Sequence, residues 1–277
     1  MKEGENLPLR DVKYKANQSI LQVYGCGGHR KIRVVTMRYL RTAGIEEDAD
    51  IRRERGTVND VKLDESICRT KSKIFELAYC NPWDYFFTAT LDPQKYDRTN
   101  LCKFRNDLKD FIKYQNKKFE RKTKYLLVPE KHSDNKSYHM HGLLYDLPET
   151  HLHRFQIGDT MGKKLAEKVK HGDVVFNWLE YQKKFGFCDL EPIRNCEAIS
   201  KYITKYINKN LYESVTDLNK NKYFHSLGLN GAVTVKKGTL LADITPTFEN
   251  EYCSVAWLDY SEETLKQLLD SFADTDY

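Results

Sequence analysis

The chain has 277 residues, 40% of them hydrophobic and 31% charged, which suits a folded, soluble protein with one large domain or a core plus extensions and excludes a low-complexity chain. Its net charge of +5 is unevenly spread: residues 95–136 hold 13 Lys/Arg against 6 Asp/Glu, and residues 246–277 hold 1 Lys against 8 Asp/Glu, which implies a localised anion-binding face and an acidic tail that lies elsewhere or competes for it. Seven cysteines without a Cys-x-x-Cys pair argue against a zinc ribbon or disulfide framework, and the lack of an apolar leader or membrane-length run makes the cytoplasm the expected location.

Residues 1–65 carry little pattern beyond "CGGHRKIRVV", a turn leading into a short strand, and the exposed-looking "DADIRRERGTVND". A helix is expected over 66–80, where Ile67, Ile74, Leu77 and Ala78 recur at helical spacing until "NPW" breaks it. "YFFTATL" (85–91) reads as a strand, and 98–121 as an amphipathic helix with a basic outer face that includes Lys109, Lys113 and Lys117. Strands follow at 124–132 and 138–145 around a "DNKS" turn, then in "VVFNWL" and "FGFCDLEPI". "CEAISKYITKYINKNL" reads as one long helix, and the remainder as short strands and a last helix opened by Ser261. Consecutive strands joined by short turns pair antiparallel, so the expected fold is α+β: a central antiparallel sheet of about five strands with flanking helices.

His-x-His occurs twice. On a strand, i and i+2 share a side, so His139 and His141 converge while Met140 faces away. "PETHLHRF" reads as a helix start, where His151 and His153 diverge as surface residues. In "VPEKH", Glu130 and His132 share one strand side, and a hairpin brings Glu130 opposite the first histidine pair. Two imidazoles and a carboxylate suit Mg²⁺ or Mn²⁺ helped by a phosphate oxygen, and zinc also fits these ligands. The plain alternative is a half-exposed strand without a role.

"KYITKYINK" (201–209) repeats Tyr-x-x-Lys. Tyr202 and Tyr206 fall one turn apart on a helix, Lys205 and Lys209 lie beside them, and Ile199, Ile203 and Ile207 form a separate packing stripe. Two phenols, each with a nearby cation, suit a site that attacks phosphate twice. The alternative is a helix with two packing tyrosines. If only one acts, the position of Tyr206 between Lys205 and Lys209 makes it the expected nucleophile. Trp83 and Tyr85 could stack unpaired bases, although core packing accounts for them better.

Taken together, "FFTATLD", "HMHGLL" and "YITKY" resemble the motif series of the HUH endonucleases, in particular the rolling-circle replication initiators of phages and plasmids. "ELAYCNPWDYFFTATLD" and "KYFHSLGL" add to the likeness, which spans about 66–230 and leaves 1–65 and 231–277 as extensions of unassigned role. The double tyrosine resembles initiators of small single-stranded DNA phages, and "TAT" departs slightly from the usual first motif. The resemblance implies that His139 and His141, completed by Glu130 better than by His132, bind a divalent metal, Mg²⁺ or Mn²⁺. It implies attack by Tyr202 or Tyr206 on the scissile phosphate, a 5′-phosphotyrosine and a free 3′-OH primer, with Lys205 stabilising charge. The implied partners are single-stranded DNA at a replication origin, then a host helicase and polymerase, with no membrane. Lys209, Lys109, Lys113 and Lys117 are candidate DNA contacts. A relaxase or transposase of the same superfamily shares this chemistry. A non-catalytic single-strand binder needs neither the histidines nor the tyrosines, and a zinc hydrolase lacks further ligands beyond the out-of-pattern Asp146.

Overall fold

The computed structural model describes residues 18–26, 28–37, 60–132, 134, 136–207, 223–249 and 253–273, with residues 26 and 60–66 described in backbone only. In chain order the elements are β1 Gln18–Cys26, β2 His29–Met37, α1 Asp60–Tyr79, β3 Tyr85–Thr90, α2 Leu101–Phe119, β4 Lys124–Lys131, β5 Tyr138–Tyr145 and β6 Leu152–Arg154. After these come α3 Lys163–Lys170, β7 Phe176–Trp178, α4 Leu179–Lys184, β8 Cys188–Pro192, α5 Cys196–Ile203, β9 Phe224–His225, β10 Val233–Thr239, β11 Phe248–Glu249, β12 Cys253–Asp259 and α6 Glu262–Asp270. Chain contacts divide them into two units, residues 58–231 and residues 1–57 with 232–277.

The 58–231 unit holds an antiparallel sheet in the order β6-β7-β8-β3-β5-β4-β9, which makes the fold α+β. Seven strands stand where the sequence implies about five. β6, β7 and β9 are only two or three residues long, too short to show a period-two alternation. Both faces of the centre are covered, so its strands read as nearly unbroken apolar runs. Phe87, Ala89, Leu127, Met140, Leu144 and Leu190 pack on one layer with Phe104, Leu108, Phe111 and Ile112 of α2. Phe86, Leu126, Val128 and Leu143 pack on the other with Ile67, Ile74 and Leu77 of α1 and with Ile203 and Ile207.

Two expectations need correction. Residues 148–155 do not begin a helix: a 3-10 turn at Glu149–His151 leads into β6, because Leu152–Arg154 finds backbone partners along β7. The long tyrosine helix is α-helical only to Ile203 and then tightens into a 3-10 turn, Thr204–Tyr206. Thr204 causes the change locally, since its hydroxyl donates to the Lys201 carbonyl at 2.7 Å and competes with regular helix bonding.

In the other unit, β10-β1-β2-β12-β11 form a five-stranded antiparallel sheet. The stretches that read as two separate extensions thus supply strands to one sheet. Neither hairpin could bury an apolar face alone, whereas together Leu21, Ile32, Val34 and Ala256 enclose Leu268 of α6 and Phe272. Ser261 caps α6 by accepting from the Thr264 amide at 2.9 Å. Cys68, Cys102 and Cys188 are free thiols.

Candidate active site

Strand register builds the site. His139 lies across from Thr90 on β3 and Glu130 on β4, and His141 across from Thr88 and Val128. Alternation therefore sends both histidines to the layer that carries α5, and buries Met140 completely on the opposite one. The residue after the motif, Gly142, allows the strands to close. A Cβ there would lie 2.5 Å from the Leu126 carbonyl oxygen and collide with the Leu127 side chain.

His141 Nε2 is 2.7 Å from Glu130 Oε2, and His139 Nδ1 is 3.1 Å from the Thr90 hydroxyl. The centre of the His132 ring lies 3.4 Å from that of His139, the two rings tilted by 35°. Burial, with the charges of His132, His141 and Arg98, pushes the His139 pKa down to about 4. Burial and Lys205 push His141 to about 4. Both imidazoles are thus neutral at pH 7 and available as ligands. Burial raises the Glu130 carboxyl above its ordinary range, against the opposing pull of Lys205 and His132. Among the buried polar atoms without a hydrogen-bond partner are His141 Nδ1, His132 Nε2 and Arg98 Nε. Among the described residues, no three His, Cys, Asp or Glu side chains already close on a single point.

α5 starts where the Asn195 side chain accepts from the Ala198 amide. Ile203 and Ile207 anchor it, with Ile199 partly buried beside them. The two tyrosines then diverge in environment. Tyr206 is buried, its ring 3.9 Å from that of His141 and nearly parallel to it at 10°. Tyr202 is 42% exposed and meets Phe86 edge-on at 5.3 Å. The Tyr206 hydroxyl donates to the Tyr202 oxygen at 3.1 Å. Lys205 Nζ lies 3.4 Å from the centre of the Tyr202 ring and 5.0 Å from that of Tyr206. Burial raises the Tyr202 pKa, but the Lys205 bond and charge and the Tyr206 hydrogen bond outweigh it, and the net shift is downward. Tyr206 shifts upward, through burial first and then its bond to Tyr202.

The structure brings Glu130, His132, His139, His141, Tyr202, Lys205 and Tyr206 to one side of the sheet. Lys209 lies outside the described residues. Lys109, Lys113 and Lys117 are exposed on α2, which packs on the opposite layer from the tyrosines. Trp83 is buried and donates to the Ala78 carbonyl, and Tyr85 packs against the α2-side cluster, so neither offers an open stacking platform. His151 packs against Phe119, and His153 pairs with Asp159 at 2.9 Å.

Four neighbours, Arg98, Lys168, Asp189 and Glu191, escaped the sequence reading. Arg98 comes from a loop and its carbonyl accepts from the Tyr138 amide, a placement without a sequence signal. Lys168 of α3 pairs with Glu191 at 2.8 Å. Asp189, across from Thr88, has its pKa raised to about 6, by burial and then by Glu191. The alternation along β8 that aims Asp189 and Glu191 at the tyrosine layer could have flagged both.

Among the described residues, no helix is long and apolar enough to cross a membrane. No curated protein and no solved structure matches the chain. Residues 84–211, from the turn before β3 to just beyond the tyrosine pair, match the model of a replication-associated protein family, and this match supports a Rep-type replication protein.

Proposed function

We propose that this protein initiates rolling-circle replication by cutting and rejoining single-stranded DNA at an origin through a tyrosine ester. The observation that carries the proposal is the inequality of the two phenols: Tyr202 is solvent-accessible, lies against Lys205 and accepts the hydrogen bond of Tyr206, all within one layer shared with His139, His141 and Glu130. The family match at residues 84–211 points the same way.

Tyr202 is the first nucleophile in this mechanism. Its phenol proton passes to water, its oxygen bonds to the scissile phosphorus, and the phosphorus–O3′ bond breaks. The departing 3′ oxygen takes up a proton, which leaves a 3′-OH and a 5′-phosphotyrosine. Lys205 and the Tyr206 hydroxyl stabilise the phenolate. Tyr206 then serves as the second nucleophile: while Tyr202 holds the first 5′ phosphate, the Tyr206 oxygen bonds to the next scissile phosphorus, and the 3′-OH released there attacks the Tyr202 ester, joins the held strand and returns Tyr202 as a free phenol.

The donor set fits a divalent ion: two neutral imidazoles, the Glu130 carboxylate, and a Thr90 hydroxyl that fixes His139 through Nδ1 and leaves Nε2 for a ligand. His139, His141 and Glu130 would hold Mg²⁺ or Mn²⁺, with His132 beside them. Such an ion supplies Lewis-acid polarisation of a phosphate oxygen. Incubation of the protein with a pool of single-stranded oligonucleotides and Mn²⁺ tests the proposal. A covalent protein–DNA adduct on Tyr202 or Tyr206 is expected, and an adduct mapped outside residues 201–209 would refute it.

A further inference from the structure

We propose that a groove beside Tyr202 seats the first nucleotide of the retained strand, the one whose 5′ phosphate the tyrosine takes. This inference rests on the nicking function proposed above. The groove measures 410 Å³, within the range of roughly 300–1,000 Å³ usual for small-ligand sites. Tyr202 forms part of its wall, with Phe86 and Ile199 as apolar neighbours and Lys168, Arg194 and Ala198 along the rim.

Three observations select this occupant. The first is continuity with the reacting atom. A nucleotide bonded through its 5′ phosphate to Tyr202 stays within one ester linkage of the phenol oxygen, and a cavity walled by Tyr202 itself meets that constraint. The leaving strand has no such tether. The second is layout. Tyr206 stacks on His141 at 3.9 Å, whereas the groove borders Tyr202, whose ring lies 5.7 Å from that of Tyr206. The groove therefore borders Tyr202 and the histidine cluster borders Tyr206, with Phe86 6.1 Å from the His141 ring between them, so a strand held at the tyrosines can reach both. The third is chemistry. Ile199 and the edge of the largely buried Phe86 give the groove apolar surface for a base, and the exposed Arg194 supplies positive charge for a phosphate beside the Lys168–Glu191 pair. Base selection at the first retained nucleotide follows, because the ester to Tyr202 holds that base beside the groove.

The test uses the full chain, a fully randomised single-stranded DNA library and Mn²⁺. Adducts are captured and the DNA attached to the tyrosine is sequenced. Wild type is expected to show a biased base composition at the first retained nucleotide. Ala198→Trp, which projects a ring into the groove from an exposed position, and Arg194→Glu, which reverses a rim charge, should each change that bias several-fold while still forming adducts. Adducts with an unchanged bias at the first retained nucleotide in both variants, or a change confined to nucleotides further along the retained strand, would overturn the inference alone. No adduct from wild type would overturn the proposed nicking function, and this inference with it.

Discussion

Phenols ordinarily lose their proton near pH 10, too high for ready attack on phosphate at neutral pH. In the proposed mechanism the tyrosine pair answers this by asymmetry: one oxygen donates and the other accepts. The acidity of Tyr202 depends in part on the hydroxyl of Tyr206, so Tyr206→Phe should raise the Tyr202 pKa and move the rising limb of the nicking pH profile to higher pH. At pH 8 the rate should fall about tenfold, since a hydrogen bond to a charged group contributes about 1.5–3 kcal/mol. Tyr202→Phe should abolish first-strand nicking, and a Tyr202→Phe protein that nicks at the wild-type rate would assign that step to Tyr206. The histidines give a second prediction. His139→Ala or His141→Ala should eliminate Mn²⁺-dependent cleavage of a labelled oligonucleotide, while His151→Ala and His153→Ala, which face Phe119 and Asp159, should leave it within a few-fold. Equal losses from both pairs would displace the site. The identities of these residues were legible because His-x-His on a strand and Tyr-x-x-x-Tyr on a helix are geometric statements in themselves. The difference between the tyrosines was not, because it depends on Phe86 and His141 from other elements.

At the scale of elements, β3, β4, β5 and α2 were readable from period and residue type, and β6, α4 and the end of α5 were not. β6 is defined by its partner strand, and α5 changes winding because of one threonine hydroxyl. Gly142 carries the β4–β5 pairing through absence of a side chain. Gly142→Ala places a carbon against the backbone of β4, so stability should fall by about 1–3 kcal/mol. A thermal melt would show it, and an unchanged midpoint would mean that the strands part more easily than this contact implies. The layer assignment of α2 bears on DNA binding. A strand held at the tyrosines and confined to that side misses Lys109, Lys113 and Lys117, so the triple alanine variant should keep the salt dependence of single-strand affinity. A slope reduced by about 2, at roughly 0.7 per lost phosphate contact, would show instead that DNA wraps round the sheet edge.

For the molecule as a whole, every described residue of the candidate site lies between residues 58 and 231. A fragment of 58–231 should therefore melt cooperatively and still form the tyrosine adduct, as scanning calorimetry and gel shift of the covalent complex would reveal. A fragment that folds but forms no adduct would assign the terminal unit a part in the chemistry. The sequence hid this architecture because periodicity speaks of neighbours, while Gln18 pairs with Thr239 and Met37 with Cys253.

That pairing sets an order of manufacture. During synthesis the β1–β2 hairpin leaves the ribosome first, and its partners β10 and β12 emerge only after the whole intervening unit has been translated. Until then both edges of the hairpin lack their native neighbours, and unpaired edges invite association with other chains. A chain cut short after residue 231 would hold all the described chemistry yet keep those edges open. The late strands thus act as a seal of completeness, and truncated products that hold every described residue of the candidate site are the ones that keep those edges open.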